Sequence, residues 1–348
     1  NSYKNNIKEK LIFDEISLKE NKNIISIKNL ILSSDNKIDD IGNININYID
    51  RENLENNLRL TKKDKDYLIS GNSFNIDKII EILLNSENDK KIEFFNKNFN
   101  FIFDIKKINL DKNNNINDLK GFLTLNKNVI SELNLESKFP NQKNIKLTIK
   151  NNGEEKITTL YSKEARPLVE RYKFIKGFEE GDLDFYSIKK NNITNSTLKI
   201  DNFKIQEIPI LAKLLTLASL QGIADLLTGE GIRFTDFEMK FSNKDDLMTI
   251  EEMYAIGPAI SILMDGYIEK DKLISLRGTL VPATTINRTI SSIPLIGNIL
   301  VGKKVGEGVF GVSFKIKGPP KDLETTVNPI KTLTPRFITR TLEKIKKN

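Results

Sequence analysis

Apolar and polar residues alternate along much of this chain. Every second residue is apolar between Asn43 and Tyr48, and the same period of two recurs from Phe99 to Ile105 and from Ile145 to Ile149. A period of two places apolar side chains on one face of a β-strand and polar side chains on the other. These segments are therefore predicted to be half-buried antiparallel strands, with asparagine on the solvated face.

The alternation continues in the second half of the chain. It predicts strands at Leu198–Ile205, Ile232–Phe241, Leu273–Leu280 and Phe314–Ile316. Turn signals rich in Asn, Asp and Gly separate many strands, at Asp35-Asn36, Asn151-Asn152-Gly153, Asn191-Asn192 and Asp265-Gly266. A chain that repeats an amphipathic strand and a short polar turn forms a long meander with one continuous apolar face.

Few segments have the pattern of a helix. Short helices are predicted at Ile76–Leu84 and Ser162–Ile175, and the clearest at Pro209–Thr228, with Pro209 at its first turn and Gly229 after its end. Apolar residues cover more than half the circumference of that helix. This pattern fits a helix buried against a sheet, and it also fits one that plugs a groove or touches a membrane.

A last helix is predicted at Pro335–Lys347. It carries five basic residues against one acid, Glu343. Basic residues near a helix C-terminus interact favourably with the helix dipole, whereas docking to anionic lipid headgroups is the alternative reading.

The residue types that are missing exclude several function classes. The 348 residues include no His, Cys or Trp. Catalysis by a Ser-His-Asp triad or a Cys-His pair is therefore excluded, as are disulfides, iron–sulfur clusters and zinc fingers. Carboxylate chemistry is still open, but the paired acids Asp245-Asp246, Glu251-Glu252 and Glu179-Glu180 lie beside turns or strand ends and read as solvated charges. We predict no catalytic residue, no metal site and no cofactor.

The charge balance argues against nucleic acid as a partner. The chain carries 54 Lys and Arg and 47 Asp and Glu, a net charge of +7. The acids are mixed among the bases, which is unlike a nucleic-acid-binding surface, and the modest positive charge suits phospholipid headgroups better. The longest uncharged stretch, Thr289–Gly302, has 14 residues and is too short to span a bilayer as a helix.

Two glycine motifs imitate nucleotide-binding loops. Residues 297–303 fit GxxxxGK, but Lys304 stands where a phosphate-binding loop needs Ser or Thr. Residues 306–311 fit GxGxxG, but strand alternation follows instead of a helix. Both motifs are predicted to be glycine-rich bends.

Many short stretches of the second half stand in the same order as in one known family. The matching stretches are Gly181–Phe185, Ile208–Leu215, Leu217–Ile223, Asp225–Phe234, Gly257–Ala259, Gly278–Pro282, Asn287, Ile293–Gly297, Gly306–Phe314, Val327–Ile330 and Leu333–Pro335. On these stretches the chain, from about Tyr161 onward, resembles the C-terminal region of AsmA-like proteins, in the branch called YhdP-type. The first 160 residues resemble it more weakly. The departures are Arg336, where a glycine often follows the proline, and the basic pair Lys303-Lys304.

The resemblance implies a fold and a role. It implies a mainly β chain with a few helices, whose long antiparallel sheet is curled into an open apolar groove and capped by helices near the C-terminal end. It implies that residues 1–160 form a β-rich part of the groove and residues 161–348 the AsmA-like C-terminal region. Proteins of this kind are anchored in the inner membrane of Gram-negative bacteria, cross the periplasm and are implicated in moving phospholipid to the outer membrane.

On this resemblance we expect phospholipid and membranes as partners, with envelope proteins as further candidates. The anchor is expected in a segment upstream of residue 1, and the outer-membrane contact at the C-terminal end. The family has no catalytic residues to transfer. The candidate groove-lining residues are Phe99, Phe101, Phe103, Phe234, Phe237, Met239, Phe241, Phe314 and Ile316. The candidate residues for a groove cap or a membrane contact are Leu211, Leu214, Leu215, Leu217, Leu220, Ile293, Leu295 and Ile296.

Three other functions are left open by the residues. An assembly factor for outer-membrane proteins of the same β-groove type would use sheet edges to pair with client strands. A glycosidase-like enzyme would use carboxylates, although the chain has no Trp for a sugar platform. A structural β protein would have a closed core and bind no lipid.

Overall fold

A computed structural model describes residues 3–6, 10–78, 94–170, 176–206, 208–218, 220–282 and 311–330. The chain divides into two compact units, an N-terminal unit, Asn1–Lys163, and a C-terminal unit, Glu164–Asn348. The mainly β class with few helices is confirmed: twenty strands and three short helices are described.

The N-terminal unit is a meander of strands paired in chain order. Each strand is antiparallel to the next except for one parallel pair, β7 and β8, and the short β4 pairs with β3 beside β5. The strands are β1 (Tyr3–Asn6), β2 (Lys10–Glu20), β3 (Asn23–Leu32), β4 (Ile38–Asp40), β5 (Asn43–Ile49), β6 (Glu55–Lys63), β7 (Asp66–Asn75), β8 (Phe99–Asn109), β9 (Asn115–Asn126), β10 (Val129–Lys138), β11 (Asn144–Asn151) and β12 (Glu155–Ser162).

The C-terminal unit is a second, fully antiparallel meander. Its eight strands pair strictly in sequence order from β13 to β20. The elements are α1 (Arg166–Val169), β13 (Lys176–Lys190), β14 (Ile193–Gln206), α2 (Pro209–Leu217), α3 (Gln221–Thr228), β15 (Ile232–Lys244), β16 (Leu247–Ile256), β17 (Ile260–Glu269), β18 (Leu273–Pro282), β19 (Gly311–Gly318) and β20 (Glu324–Ile330).

The hairpin turns explain part of the Asn and Asp content. Asn21, Asn191, Asp245 and Asp271 each have a φ between 50° and 55° in the turns that follow β2, β13, β15 and β17. Tight hairpin turns need positive φ to match the twist of the strands, and Asn and Asp tolerate it best among residues with a Cβ.

One predicted turn is wrong. Asp265 and Gly266 lie inside β17, opposite Arg277 and Leu276 of β18. Gly266 has a φ of 145°, and a Cβ there would meet the Ser275 carbonyl oxygen at 2.2 Å. The glycine therefore permits a close approach of two strands rather than a turn.

Two predicted helices also differ from the structure. Pro209–Thr228 is two helices, α2 and α3, because Ala218 ends the first and the Leu220 backbone is not helical. The break lets each helix turn its own apolar face inward. Of Ser162–Ile175, the structure describes residues 162–170; among these only Arg166–Val169 (α1) is helical, and Ser162 pairs with Ile145 as the last residue of β12.

Two further helix predictions cannot be compared with the structure over most of their length. Ile76–Leu84 lies largely outside the described residues, and Pro335–Lys347 lies wholly outside them.

The helix pair α2–α3 lies across the end of the C-terminal sheet. It contacts β14 and β15 on one side and β20 on the other. Helix α2 contacts β20, and α3 contacts β14 and β15. The pair therefore caps this end of the curled sheet.

Glycine is required at Gly278, where β18 packs closely against its neighbouring strands. A Cβ on Gly278 of β18 would meet the Leu263 carbonyl oxygen at 2.3 Å and the Phe314 ring at 2.5 Å. We expect Gly278→Ala to lower the free energy of unfolding by about 2 kcal/mol, because the closely packed strand has no room for a methyl group.

Gly222 of α3 supplies the matched control, since a Cβ there meets nothing within 4 Å. Gly222→Ala is expected to leave stability unchanged or raise it by about 0.5–1 kcal/mol. Urea unfolding followed by circular dichroism measures both. Equal effects of the two substitutions would show that the packing at Gly278 is not tight.

Candidate functional site

One face of the N-terminal unit carries an unbroken row of apolar residues. Residues opposite one another on neighbouring strands have their side chains on the same face. Ten strands contribute one residue each, and only Leu60 of these is fully buried; the others are half-buried. This N-terminal ladder is Ile16, Ile27, Ile44, Leu60, Ile69, Phe103, Gly121, Leu135, Leu147 and Leu160.

The C-terminal unit has the same design over eight strands. Its central row, the methionine ladder, is Phe185, Leu198, Met239, Met253, Met264, Gly278, Phe314 and Val327. A parallel row on the same face, the leucine ladder, is Leu183, Ile200, Phe237, Ala255, Ile262, Leu280, Val312 and Pro329. A third row is Ser187, Ser196, Phe241, Ile250, Gly266, Leu276, Ile316 and Thr325.

Five predicted groove residues therefore share one face of the C-terminal unit. Phe237, Met239 and Phe241 are half-buried, whereas Phe314 and Ile316 are only 3% and 5% exposed. The half-buried residues keep apolar surface in contact with solvent. Apolar area left in water forgoes stabilisation of about 25 cal/mol per Å², so a face of this kind marks either an interaction site or an aggregation liability.

Phe234 belongs to an aromatic group at the end of this face. Phe203 contacts both Phe234 and Phe237, with ring centroids 5.5 Å and 6.3 Å apart. Phe178 stacks on Phe203 at 5.2 Å. Phe234 is 1% exposed, so it is a core residue beneath the end of the face rather than a lining residue.

In the N-terminal unit, a closed ring of strands buries two other predicted lining residues. Residues 94–96, which precede β8 in the chain, pair with β4: the Ile38 N–H donates to the Phe94 carbonyl at 2.7 Å and the Asn96 N–H to the Ile38 carbonyl at 2.9 Å. Strand pairing connects β4 to β3, β5, β6, β7 and β8 in turn, and the chain from β8 back to residues 94–96 completes the ring.

An aromatic cluster of Tyr67, Phe95, Phe99 and Phe101 fills this ring. Phe95 packs on Phe99 at 4.7 Å between ring centroids, and Tyr67 lies 5.2 Å from Phe99 and 5.7 Å from Phe101. Phe99 and Phe101 are 2% and 7% exposed. Of the three predicted lining residues on β8, only Phe103 is left partly exposed, because it lies beyond the ring in the N-terminal ladder.

Two carboxylates of β4 hold the ring closed. The Asp39 side chain, 3% exposed, accepts hydrogen bonds from Lys10 at 2.5 Å and forms an ion pair with Lys97 at 3.0 Å. Asp40 accepts hydrogen bonds from Lys62 at 2.5 Å and from the Tyr67 hydroxyl at 2.6 Å. We call these two aspartates with their partners the carboxylate clamp. It joins β4 to β2, β6, β7 and the segment before β8.

The clamp also sets the protonation of its members. Burial opposes ionisation of Asp39 and Asp40, but the hydrogen bonds from Lys10, Lys97, Lys62 and Tyr67 outweigh it, so the pKa of both carboxyls is lowered. Burial and the hydrogen bond to Asp40 raise the pKa of the Tyr67 hydroxyl. Both aspartates are therefore ionised and Tyr67 is neutral at neutral pH.

The predicted cap residues fall into three groups. Leu211, Leu214 and Leu215 form the inner face of α2 and are 6%, 4% and 0% exposed. Leu217 points outward and is 46% exposed, and Leu220 in the break is half-buried. Ile293, Leu295 and Ile296 lie outside the described residues. The three buried leucines act together with Ala224 and Leu227 of α3 as the packed side of the cap.

The opposite face of the C-terminal sheet is polar. Glu238 accepts a hydrogen bond from the Tyr254 hydroxyl at 2.7 Å and forms ion pairs with Lys199 and Lys240. Burial works against its ionisation, but these partners lower the pKa of Glu238 overall. The contrast between the two faces leaves the apolar face as the surface where an apolar ligand would bind.

Sequence reasoning missed Met253 and Met264. Strand β16 was not predicted because a register shift at Glu251-Glu252 breaks its period of two. The one available signal was the apolar alternation on either side of these two acids, at Met248 and Ile250 and again at Met253 and Ala255.

Other chemistry is limited within the described part of the chain. There, no three acidic side chains are grouped so as to hold a metal ion. No described helix has the length and apolar content needed to cross a bilayer. The glycine motif at 297–303 lies outside the described residues, as does most of the one at 306–311.

Comparisons with protein-family models, with curated proteins and with solved structures found no match to this chain.

The carboxylate clamp can be tested through stability. We expect Asp39→Asn to lower the free energy of unfolding by about 2–3 kcal/mol at pH 7, because it removes charge-assisted hydrogen bonds from a buried site. The exposed pair between Lys146 and Glu136 has the same 2.5 Å separation, so Glu136→Gln is the control and should cost less than about 1 kcal/mol.

The clamp also predicts a pH dependence. The folded-state pKa of Asp39 is lowered from its ordinary value of 3.8, so its contribution is complete above that pH and is lost as pH falls through the folded-state pKa. The difference between wild type and Asp39→Asn in urea unfolding should shrink as pH falls below about 4. A difference that is constant from pH 7 to pH 3 would contradict the clamp.

Proposed function

We propose that this chain is part of a non-enzymatic lipid-transfer conduit of the AsmA-like, YhdP type, which passes phospholipid over its apolar sheet faces between the inner and outer membranes. The observation that carries the proposal is the pair of half-buried apolar faces, one in each unit. Each crosses every long strand of its unit and is backed by a polar, charged face. The sequence resemblance supports the same role.

The energy of binding favours a hydrocarbon chain on such a face. Each CH₂ group removed from water contributes about 0.8 kcal/mol, so a fully covered 16-carbon chain gains roughly 12 kcal/mol. A half-open face covers only part of each chain, which makes binding weaker and release faster. Weak, repeated sites of similar affinity are what movement along a surface requires.

Transfer over these faces needs no chemical step in this chain. A lipid that moves from one part of an apolar ladder to the next exchanges one apolar contact for a similar one. Its headgroup stays in solvent at the open side. Direction must then come from the two membranes or from envelope proteins, which we propose as the partners at the ends.

The cellular setting follows from the same proposal. We propose that the protein acts in the periplasm, is tethered to the inner membrane by a segment upstream of residue 1, and supports the outer-membrane barrier. An inner-membrane anchor and an outer-membrane contact at the C-terminal end would place the two units where lipid has to cross water.

A second candidate is an assembly factor for outer-membrane proteins. Strands β1 and β20 are each paired on one side only among the described residues. An open edge is able to accept a client strand by β-augmentation. This function would use the edges and leave the half-buried faces without a role, so we place it second.

Lipid that copurifies with the protein provides the test. The chain is expressed in a Gram-negative periplasm, purified without detergent and analysed by native mass spectrometry and lipid extraction. We expect bound phospholipid in the wild type and at least a fivefold loss in Phe241→Asp, because an ionised carboxylate on the apolar face costs several kcal/mol when a hydrocarbon chain covers it.

The neighbouring residue on the same strand supplies the control. Ser242 lies on the opposite face of β15, facing Asn195 and Thr249. Ser242→Asp should keep its lipid. A well-folded wild-type protein without lipid would refute the proposal, and binding of peptide strands in its place would favour the assembly factor.

A further inference from the structure

Three of the four methionines of this chain are neighbours on one sheet face. Met239, Met253 and Met264 lie directly opposite one another on β15, β16 and β17, and all three are half-buried. The fourth, Met248, is on the same face of β16, next to Asn243 and Ile268 and nearer the turn. All four methionines of the chain therefore lie on one face of three neighbouring strands.

Methionine gives this place a particular property. Its side chain is unbranched, flexible and polarizable, so it adapts to ligands of different shape. The side chains next to the three methionines are fixed: Leu280 and Phe314 are buried, and the Phe314 ring lies over Gly278. The three methionines are therefore an adaptable strip with a rigid border on the side of β18 and β19.

The surroundings of the strip indicate a hydrocarbon chain as its occupant. The methionine ladder and the leucine ladder contain no side chain that can form a strong hydrogen bond. A peptide laid on them would leave backbone N–H and C=O groups without partners, at a cost of about 1–3 kcal/mol each, whereas an acyl chain has no such groups.

The dimensions agree with one acyl chain. The run from Leu198 on β14 to Gly278 on β18 crosses four strand spacings, about 19 Å. One leaflet of a bilayer has a hydrocarbon thickness of about 15 Å, half of the 30 Å core. One acyl chain laid across the strands fits within this run.

We infer that Met239, Met253 and Met264 form an acyl-chain subsite, on which one hydrocarbon chain of a phospholipid lies across the strands. The inference rests on the proposed function and adds to it the place and orientation of the bound chain. It also assigns a reason for methionine: the strip follows straight chains and chains bent by a cis double bond alike.

Methyl NMR tests the inference with the whole chain. Labelling the methionine methyl groups with ¹³C gives four signals, which single Met→Leu substitutions assign. The probe is a dioctanoyl phospholipid below its critical micelle concentration. We expect nuclear Overhauser contacts from the acyl methylene protons to the methyls of Met239, Met253 and Met264, and much weaker ones to Met248, the internal reference.

A pair of variants on one strand supplies the second readout. Met253→Gln places an amide of nearly the same size under the bound chain and should weaken lipid binding about tenfold. Met248→Gln changes a half-buried methionine on the same face of β16 and should change binding less than twofold. Because both substitutions make the same change in one strand, their effects on folding are matched.

The outcomes separate this inference from the proposed function. If the lipid binds but its contacts reach Met248 equally, or reach other residues only, the subsite is wrong and the lipid-transfer proposal stands. If titration shows no lipid binding at all, both fail. If the methyl signals shift with protein concentration alone and sedimentation shows a dimer, a second copy covers the face, which overturns the subsite.

Discussion

Cross-strand register is the constraint on which the rest of this structure depends. Side chains alternate between the two faces of a strand, so a slip of one residue would move a whole set of apolar side chains to the polar face. In the C-terminal unit the register keeps Met239, Met253 and Met264 in one row and Glu238 with Lys199 on the other side. Turns with positive φ at Asn191, Asp245 and Asp271 fix that register at three of its hairpins.

In the N-terminal unit, the ring of strands covers part of the apolar face and turns the side chains there into core residues. Residues 94–96 and β4 cross over Phe99 and Phe101, and these rings become core residues. The carboxylate clamp ties the crossing to three other strands through Asp39 and Asp40. Beyond the ring, Phe103 and the rest of the N-terminal ladder, apart from Leu60, stay half-buried. The apolar face of this one unit is therefore covered in one part and partly exposed to solvent in another.

A sheet with an exposed apolar face risks aggregation as much as it enables binding. Here the charged residues of the opposite face and the buried leucines of α2 reduce the apolar area that is left in contact with solvent. The half-buried ladders are the feature that the proposed lipid transfer uses, and the adaptable methionine strip gives one of them the shape tolerance that a carrier of mixed acyl chains needs.

The sequence by itself determined some of the strands and the composition of their two faces. The period of two identified β5, β8, β11, β14, β15 and β18, because alternation is a local property that one strand displays alone. It also placed Phe237, Met239 and Phe241 on one side of their strand. Pro209 and Gly229 correctly marked the outer ends of the helical region for the same local reason.

Only the tertiary structure decided which apolar residues are covered. Phe99 and Phe103 look alike in the sequence, but a strand contact between Ile38 and Phe95, distant in the chain, buries one and not the other. The methionine strip also depends on strand pairing, since its members come from three different strands. The bulge at Glu251-Glu252 interrupts the apolar alternation of β16, so the sequence pattern does not show that Met253 belongs to the strip. The burial of a side chain and the identity of its neighbours depend on pairing between strands that are distant in the chain, and a local sequence pattern contains no information on that pairing.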